Sequence, residues 1–229
     1  MRAVLWDLDG TLVDSSEYHW QAWYDTMAAD GVPITHAQFL QSFGQRNDRI
    51  LTSWLGASAA GDRIKRLGDA KEAEYRRLAR AGGVSALPGA AHWVARLQAE
   101  GWQQAIASSA PRLNVEAMVE ALGFGQYISA ITAAEDVTAG KPDPEVFLKA
   151  AAALGVAPSR CIVVEDVAAG IEAARRAAMK CIGVSSEVVL AADIFVRALT
   201  DLPPDSFASL LCESGPRSLT NQSIRAEEL

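Results

Sequence analysis

Apolar residues follow two patterns along the chain. Short apolar runs recur at 3–6, 104–107, 130–132, 161–164, 181–184 and 194–196, and each predicts a strand. Between most of them lies a helical period. Glu116, Met118, Val119, Ala121 and Leu122 share one face that stops at Gly123, and Val146, Phe147, Ala150 and Leu154 share another that stops before Gly155. Strands alternating with helices predict an α/β fold, a Rossmann-like three-layer core in which helices cover both faces of a parallel sheet.

One stretch breaks the alternation. Residues 15–84 contain no strand-like run and read as four helices over 17–29, 36–43, 48–55 and 62–81, separated by Gly31-Val32-Pro33, Gly44 and 56–61. A crossover between parallel strands needs only about a dozen residues. The excess predicts an all-helical cap, 15–84, inserted after the first strand into a core made of 1–14 and 85–212. Residues 213–229 are polar without periodicity and read as a loose tail.

Charge narrows the classes of function. The 229 residues carry 21 Lys+Arg and 28 Asp+Glu, a formal net charge of -7. That balance argues against nucleic acid and against anionic membrane surfaces, both of which need a basic face. The cap stretch holds nine basic and eight acidic residues, leaving twelve and twenty for the rest. An anionic ligand would therefore meet a locally positive lid over an acidic core. No run is apolar and long enough to span a bilayer, and the first residues do not resemble a signal peptide. The three cysteines, Cys161, Cys181 and Cys212, show no metal-ligand spacing, and the first two sit in apolar runs as small core residues. A cytoplasmic monomer is the expectation.

Candidate chemistry gathers where the strands end, because ligands of open parallel sheets bind outside the carboxyl ends of the strands. The first strand is followed by Asp7-Leu8-Asp9-Gly10-Thr11, the second by Ser108-Ser109, and the fourth by Glu165-Asp166. Carboxylates packed together raise one another's pKa unless a cation joins them. An oxygen-only donor set without His or Cys points to Mg2+. Lys141, in Gly140-Lys141-Pro142-Asp143-Pro144, supplies a fixed cation just before a helix. Mg2+, Lys141 and Ser108 together suit the spreading negative charge of a phosphoryl group in transfer.

These segments, Asp7-Leu8-Asp9-Gly10-Thr11-Leu12-Val13-Asp14, the Ser108 strand end, Lys141-Pro142-Asp143-Pro144, and Val164-Glu165-Asp166 with Gly170, resemble in order the four motifs of the haloacid dehalogenase superfamily. The helical insertion resembles the cap of its phosphatase and beta-phosphoglucomutase branch. The resemblance implies that Asp7 attacks phosphorus to form an aspartyl-phosphate. It implies that Asp9, held protonated, donates to the leaving oxygen and then activates water. Ser108 and Lys141 would hold the phosphoryl oxygens. Mg2+ would sit on Asp7, the Asp9 carbonyl and Asp166, with Glu165 nearby or ligating through water. Asp9 argues against halide chemistry, whose motif carries no acid at that position.

In the cap, His19 and Lys71 resemble residues that engage the site on closure. The distal-phosphate arginine of the mutase branch aligns with Asn47, which Arg46 and Arg49 flank and could replace as substrate contacts. The polar loop positions after Ser108 become Ala110, Pro111 and Arg112, with Ser109 before them and Asn114 beyond. Two of three phosphate donors are thus missing, which favours a phosphatase acting on a small phosphorylated metabolite, a sugar phosphate, over a phosphomutase. Trp20, Trp23 and Tyr24 share a helix face and read as packing rather than as a sugar platform. His36 and His92 read as structural or exposed. A phospho-accepting receiver domain uses similar groups, but its phosphorylated Asp lies on the third strand, and it has no use for a seventy-residue cap.

Overall fold

The structure is a computed structural model and describes residues 1–212; the expected tail, 213–229, lies outside the described residues. Six strands, β1 (Ala3–Trp6), β2 (Gln103–Ala107), β3 (Ala130–Thr132), β4 (Cys161–Glu165), β5 (Lys180–Val184) and β6 (Ile194–Val196), form one sheet in the order β3-β2-β1-β4-β5-β6. Every neighbouring pair is parallel. All six predicted strands are present, with ends that move by no more than one residue.

Between β1 and β2 the chain forms α1 (Ser16–Ala29), α2 (His36–Ser42), α3 (Asn47–Leu55) and α4 (Gly61–Gly82), then α5 (Ala90–Ala99). The later helices are α6 (Arg112–Ala121), α7 (Glu145–Ala153), α8 (Ala168–Arg176) and α9 (Ser206–Cys212). Alternate residues of a strand face opposite sides of the sheet. Val4, Trp6, Ile106 and Val164 therefore pack with Trp93 of α5, Val115 of α6 and Phe207 of α9. Ala3, Leu5, Ala105 and Val163 pack on the other side with Phe147 of α7 and Ala174 of α8. Cys161 and Cys181 belong to this second layer as buried free thiols, and burial pushes the Cys161 thiol up to about 11.

Helices α1 to α4 bury a separate apolar cluster of Trp23, Met27, Ile34, Phe39, Ile50, Leu51 and Leu67. Their two connections to the sheet lie side by side. Asp14 donates its amide to Ser85 and Leu87 donates its amide to Leu12, with Val13 bridged to Ala86 between them. Among the described residues, no helix is long and apolar enough to cross a membrane.

Candidate active site

From β1 the chain moves outward to β2 and β3, then returns to β4 beside β1 and continues in the other direction. The reversal opens a crevice between the carboxyl ends of β1 and β4. Asp7 stands directly after β1, its amide bonded to the Val164 carbonyl of β4 at 2.9 Å. Glu165 ends β4 and Asp166 follows it. Lys141, 134 residues from Asp7, reaches in from the loop before α7. Its Nζ lies 2.5 Å from Asp7 Oδ1 and also donates to Glu165 Oε1.

One oxygen each from Asp7, Glu165 and Asp166 lie within 4.8 Å of one another. Three carboxylates thus share one ammonium. Burial, together with the neighbouring Glu165, pushes the Asp7 carboxyl up to about 8 despite Lys141. Burial, Glu165 and Asp7 raise Asp166 well above its usual range. Burial alone would lower Lys141, but Asp7 and Glu165 outweigh it and hold the ammonium above its ordinary pKa. This residual negative charge in an oxygen-only cluster fits a hard divalent cation.

The sign of the resulting pH dependence follows from Asp7. Its folded pKa of about 8 lies above the unfolded 3.8, so the folded chain binds more protons across that window. Stability of the metal-free protein should fall as pH rises from about 4 to about 8. A cation that binds the ionised cluster should therefore raise the melting temperature more at about pH 8 than at about pH 6. Equal Mg2+ shifts at both values in thermal melts would disconnect Asp7 from metal binding.

The turn after Asp7 is closed by the Leu8 carbonyl, which accepts the amides of Thr11, Leu12 and Val13. Gly10 takes φ +83°, and a Cβ there would overlap the Asp166 carboxylate. Gly170 plays the same part for Glu165, whose carboxylate occupies the space a Cβ would need. Both glycines permit close approach of the acids.

Asp9 faces the helices. Its Oδ1 accepts from the Ser15 hydroxyl at 2.5 Å, lies 3.2 Å from His19 Nε2, and accepts from the Tyr75 hydroxyl at 3.5 Å. Lys71 Nζ lies 2.8 Å from His19 Nδ1. An ammonium can only donate, so Nδ1 accepts and the ring proton sits on Nε2, directed at Asp9. The Tyr75 ring stacks on His19 with centroids 4.1 Å apart.

Burial alone would raise Asp9, but His19, Ser15 and Lys71 outweigh it and hold the carboxyl below its usual range. General-acid action by Asp9 needs its proton, which this arrangement does not favour. Its donors favour the ionised form.

Ser108, at the end of β2, is buried and its Oγ accepts the Ala110 amide at 3.0 Å. Ser108, Ser109, Asp7, Asp9 and Asp166 line a cavity roofed by His19, Asn47, Lys71 and Glu72. Three of the expected contacts lie elsewhere. Arg46 donates to the carbonyls of Ala134 and Val137 at 3.2 and 2.9 Å, outside the cavity. Arg112 is held by Asp136 at 2.5 Å and by the Ile131 carbonyl at 3.2 Å. Arg49 is exposed on α3 and is not among the cavity lining.

Other residues enter unannounced. Trp23, Phe39, Phe43, Gln45 and Ile50 add to the cavity wall. Trp23 does pack, edge-on against Trp54 at 5.0 Å, yet it also borders the cavity. Ser15 and Tyr75 were legible only in part. Tyr75 lies one helical turn beyond Lys71 and so shares its face, whereas nothing in the local pattern separates Ser15 from an ordinary N-cap.

Residues 1–178 match the haloacid dehalogenase-like hydrolase family. The chain is 34% identical to validoxylamine A 7'-phosphate phosphatase of Streptomyces hygroscopicus subsp. limoneus, over 88% of this chain and 95% of that protein. It is 32% identical to beta-phosphoglucomutase of Bacillus subtilis, over 88% and 92%. The crystal structure of beta-phosphoglucomutase from Clostridium difficile superposes with a TM-score of 0.84 at 25% identity, covering 93% of this chain and 98% of that one. With its acidic crevice between β1 and β4 and a match over most of its length, the chain belongs to the haloacid dehalogenase-like hydrolase family.

Proposed function

We propose that the protein is a Mg2+-dependent phosphatase that hydrolyses a small phosphate monoester, a sugar phosphate, through an aspartyl-phosphate on Asp7. One observation carries the reading: Asp7 is held by Lys141 in the same cavity that Asp9 and Ser108 line. The Asp7 carboxylate attacks phosphorus as the ester bond breaks. Lys141 and Ser108 donate to the phosphoryl oxygens. Asp9 protonates the departing oxygen and then accepts a proton from the water that cleaves the acyl-phosphate. Asp7, Asp166 and the Asp9 carbonyl, with Glu165 beside them, would hold Mg2+, which would supply positive charge to offset the crowded carboxylates and the phosphoryl oxygens.

Residues 15–84 act as a cap over a core of 1–14 and 85–212, with the paired connections at Val13 and Ala86 as the hinge. The cavity measures ≈ 50 Å³, against roughly 300–1,000 Å³ for typical small-molecule pockets. Substrate entry therefore requires the cap to lift. Lifting also withdraws His19, Tyr75 and Lys71 from Asp9, which leaves its carboxyl free to take up the proton it delivers. After closure His19, Asn47 and Lys71 face the substrate from above and Ser109 from below.

The test is a phosphate-release screen over sugar phosphates with Mg2+, run beside a coupled assay for conversion of beta-glucose 1-phosphate to glucose 6-phosphate with a bisphosphate primer. Phosphate release should dominate, vanish on chelation and return with Mg2+. Isomerisation faster than release would replace the phosphatase by a phosphomutase.

A further inference from the structure

Glu72 is the one carboxylate among the cavity-lining residues contributed by α1 to α4. It is 5% exposed, and it is not idle packing. Its Oε1 accepts from Lys71 Nζ at 2.8 Å and from Asn47 Nδ2 at 2.6 Å, while Oε2 accepts from Asn114 Nδ2 of α6. Asn114 is oriented in turn by Arg76, whose guanidinium donates to its Oδ1 at 2.7 Å. Burial alone would raise the Glu72 carboxyl, but Lys71, His19 and Asn47 outweigh it and keep it ionised.

A carboxylate offers about four lone-pair sites, and three donors leave room for one more, such as a substrate hydroxyl. Four cations near the roof are already committed. Lys71 serves Glu72 and His19, Arg46 serves two backbone carbonyls, Arg76 serves Asn114, and Arg112 serves Asp136. Among the described residues no guanidinium lines the cavity.

We propose that Glu72, fixed by Asn47, Lys71 and Asn114, is a specificity residue that admits hydroxyl-rich monophosphates and rejects substrates carrying a second phosphoryl group. A distal phosphate would bring roughly two negative charges to a wall whose carboxylate already engages Lys71 and which has no free cation. Placing like charges together without a partner is strongly unfavourable in a closed, poorly hydrated space. Gln45 and Asn47 in the lining, together with Trp23 and Phe39, suit a neutral or ammonium-bearing polyol body. This inference rests on the phosphatase reading above and names the substrate class for the same site.

The experiment compares a hexitol monophosphate with the matching bisphosphate. Phosphate release is measured for the wild type and Glu72→Gln, and calorimetric binding for the wild type and the non-turnover variant Asp7→Asn, all with Mg2+. The wild type should favour the monophosphate by at least about tenfold in kcat/KM, and Asp7→Asn should bind it more tightly by a similar factor. Glu72→Gln keeps the shape but removes the charge, so the preference should shrink at least about threefold, chiefly through a lower KM for the bisphosphate.

A wild-type preference near unity, or one reversed, overturns the proposal. So does an unchanged ratio in a Glu72→Gln protein that melts like the wild type. If that variant does not fold, the wild-type ratio decides. Should neither compound release phosphate while binding still prefers the monophosphate, the phosphatase reading fails and the selectivity stands.

Discussion

Asp7→Asn is expected to lower phosphate release by about four orders of magnitude or more, while the chain keeps its fold. Asparagine has nearly the shape of aspartate, and the Asp7 amide still donates to the Val164 carbonyl. What disappears is the oxygen nucleophile and one negative charge. An amide neither displaces the ester oxygen nor forms the acyl-phosphate. The removed charge belonged to a crowded set, since Glu165 and Asp166 stand in the same cluster and burial raises the Asp7 carboxyl. The melting temperature without metal should therefore hold or rise at about pH 8, where the wild type bears the cost of ionising Asp7. The stabilisation by Mg2+ should shrink, because one ligand oxygen of charge has gone. Release assays and melts with and without Mg2+ measure both effects. Turnover above about one hundredth of the wild-type rate would remove Asp7 from the role of nucleophile.

Lys141→Met carries the second large effect, and it acts on stability as well as rate. Lys141 is buried and bridges Asp7 to Glu165 across the crevice. Methionine fills the same volume, and the Phe147 ring, 5.1 Å from Nζ, can pack against it. The carboxylates do not adapt so easily. Removing one partner of a buried ion pair leaves uncompensated charge, at a cost of about 3–5 kcal/mol. Proton uptake by Asp7 or Asp166 relieves part of this, so the loss should be larger at about pH 8 than at about pH 6. Activity should drop by about a hundredfold or more, because the phosphoryl oxygens lose a fixed cation. Denaturant unfolding at the two pH values and steady-state kinetics with saturating Mg2+ test it. Wild-type stability at about pH 8 together with wild-type kcat would show that Lys141 is no part of the charge balance.

The acidic half of this chemistry is legible in the sequence, because Asp7, Glu165 and Asp166 sit at strand ends. Runs such as 3–6 and 161–164 are apolar throughout and bounded by acids, so the strand and the first residue beyond it are read together. Parallel strands bring their carboxyl ends to one edge, and Asp7, Ser108, Glu165 and Asp166 then share it. The proline-fixed turn around Lys141 marked it as a candidate cation, but no local period could disclose which carboxylates it would meet.

The inserted segment was legible as helices but not as a surface. A period of 3.6 residues says which positions share a face, not what that face meets. Lys71 could be placed near the site, yet its carboxylate neighbour Glu72 read as one acid among many in a charged helix. Arg46 and Arg112 are chemically suited to phosphate. Each found a nearer partner, the Ala134 and Val137 carbonyls in one case and Asp136 in the other. A guanidinium satisfies buried acceptors wherever it meets them, and that competition depends on loops 88 and 24 residues distant in the chain.

By itself, the sequence determined the parallel sheet, the four inserted helices and the acidic chemistry at the ends of β1 and β4. These follow from short-range periodicity and from the rule that parallel strands align their ends. Tertiary structure decided which charges meet. It set Lys141 between Asp7 and Glu165, turned Asp9 toward Ser15 and His19, and made Glu72 part of the cavity roof. Electrostatic partners are chosen by distance in space and by exclusion of water, and neither quantity is encoded in the spacing of residues along the chain.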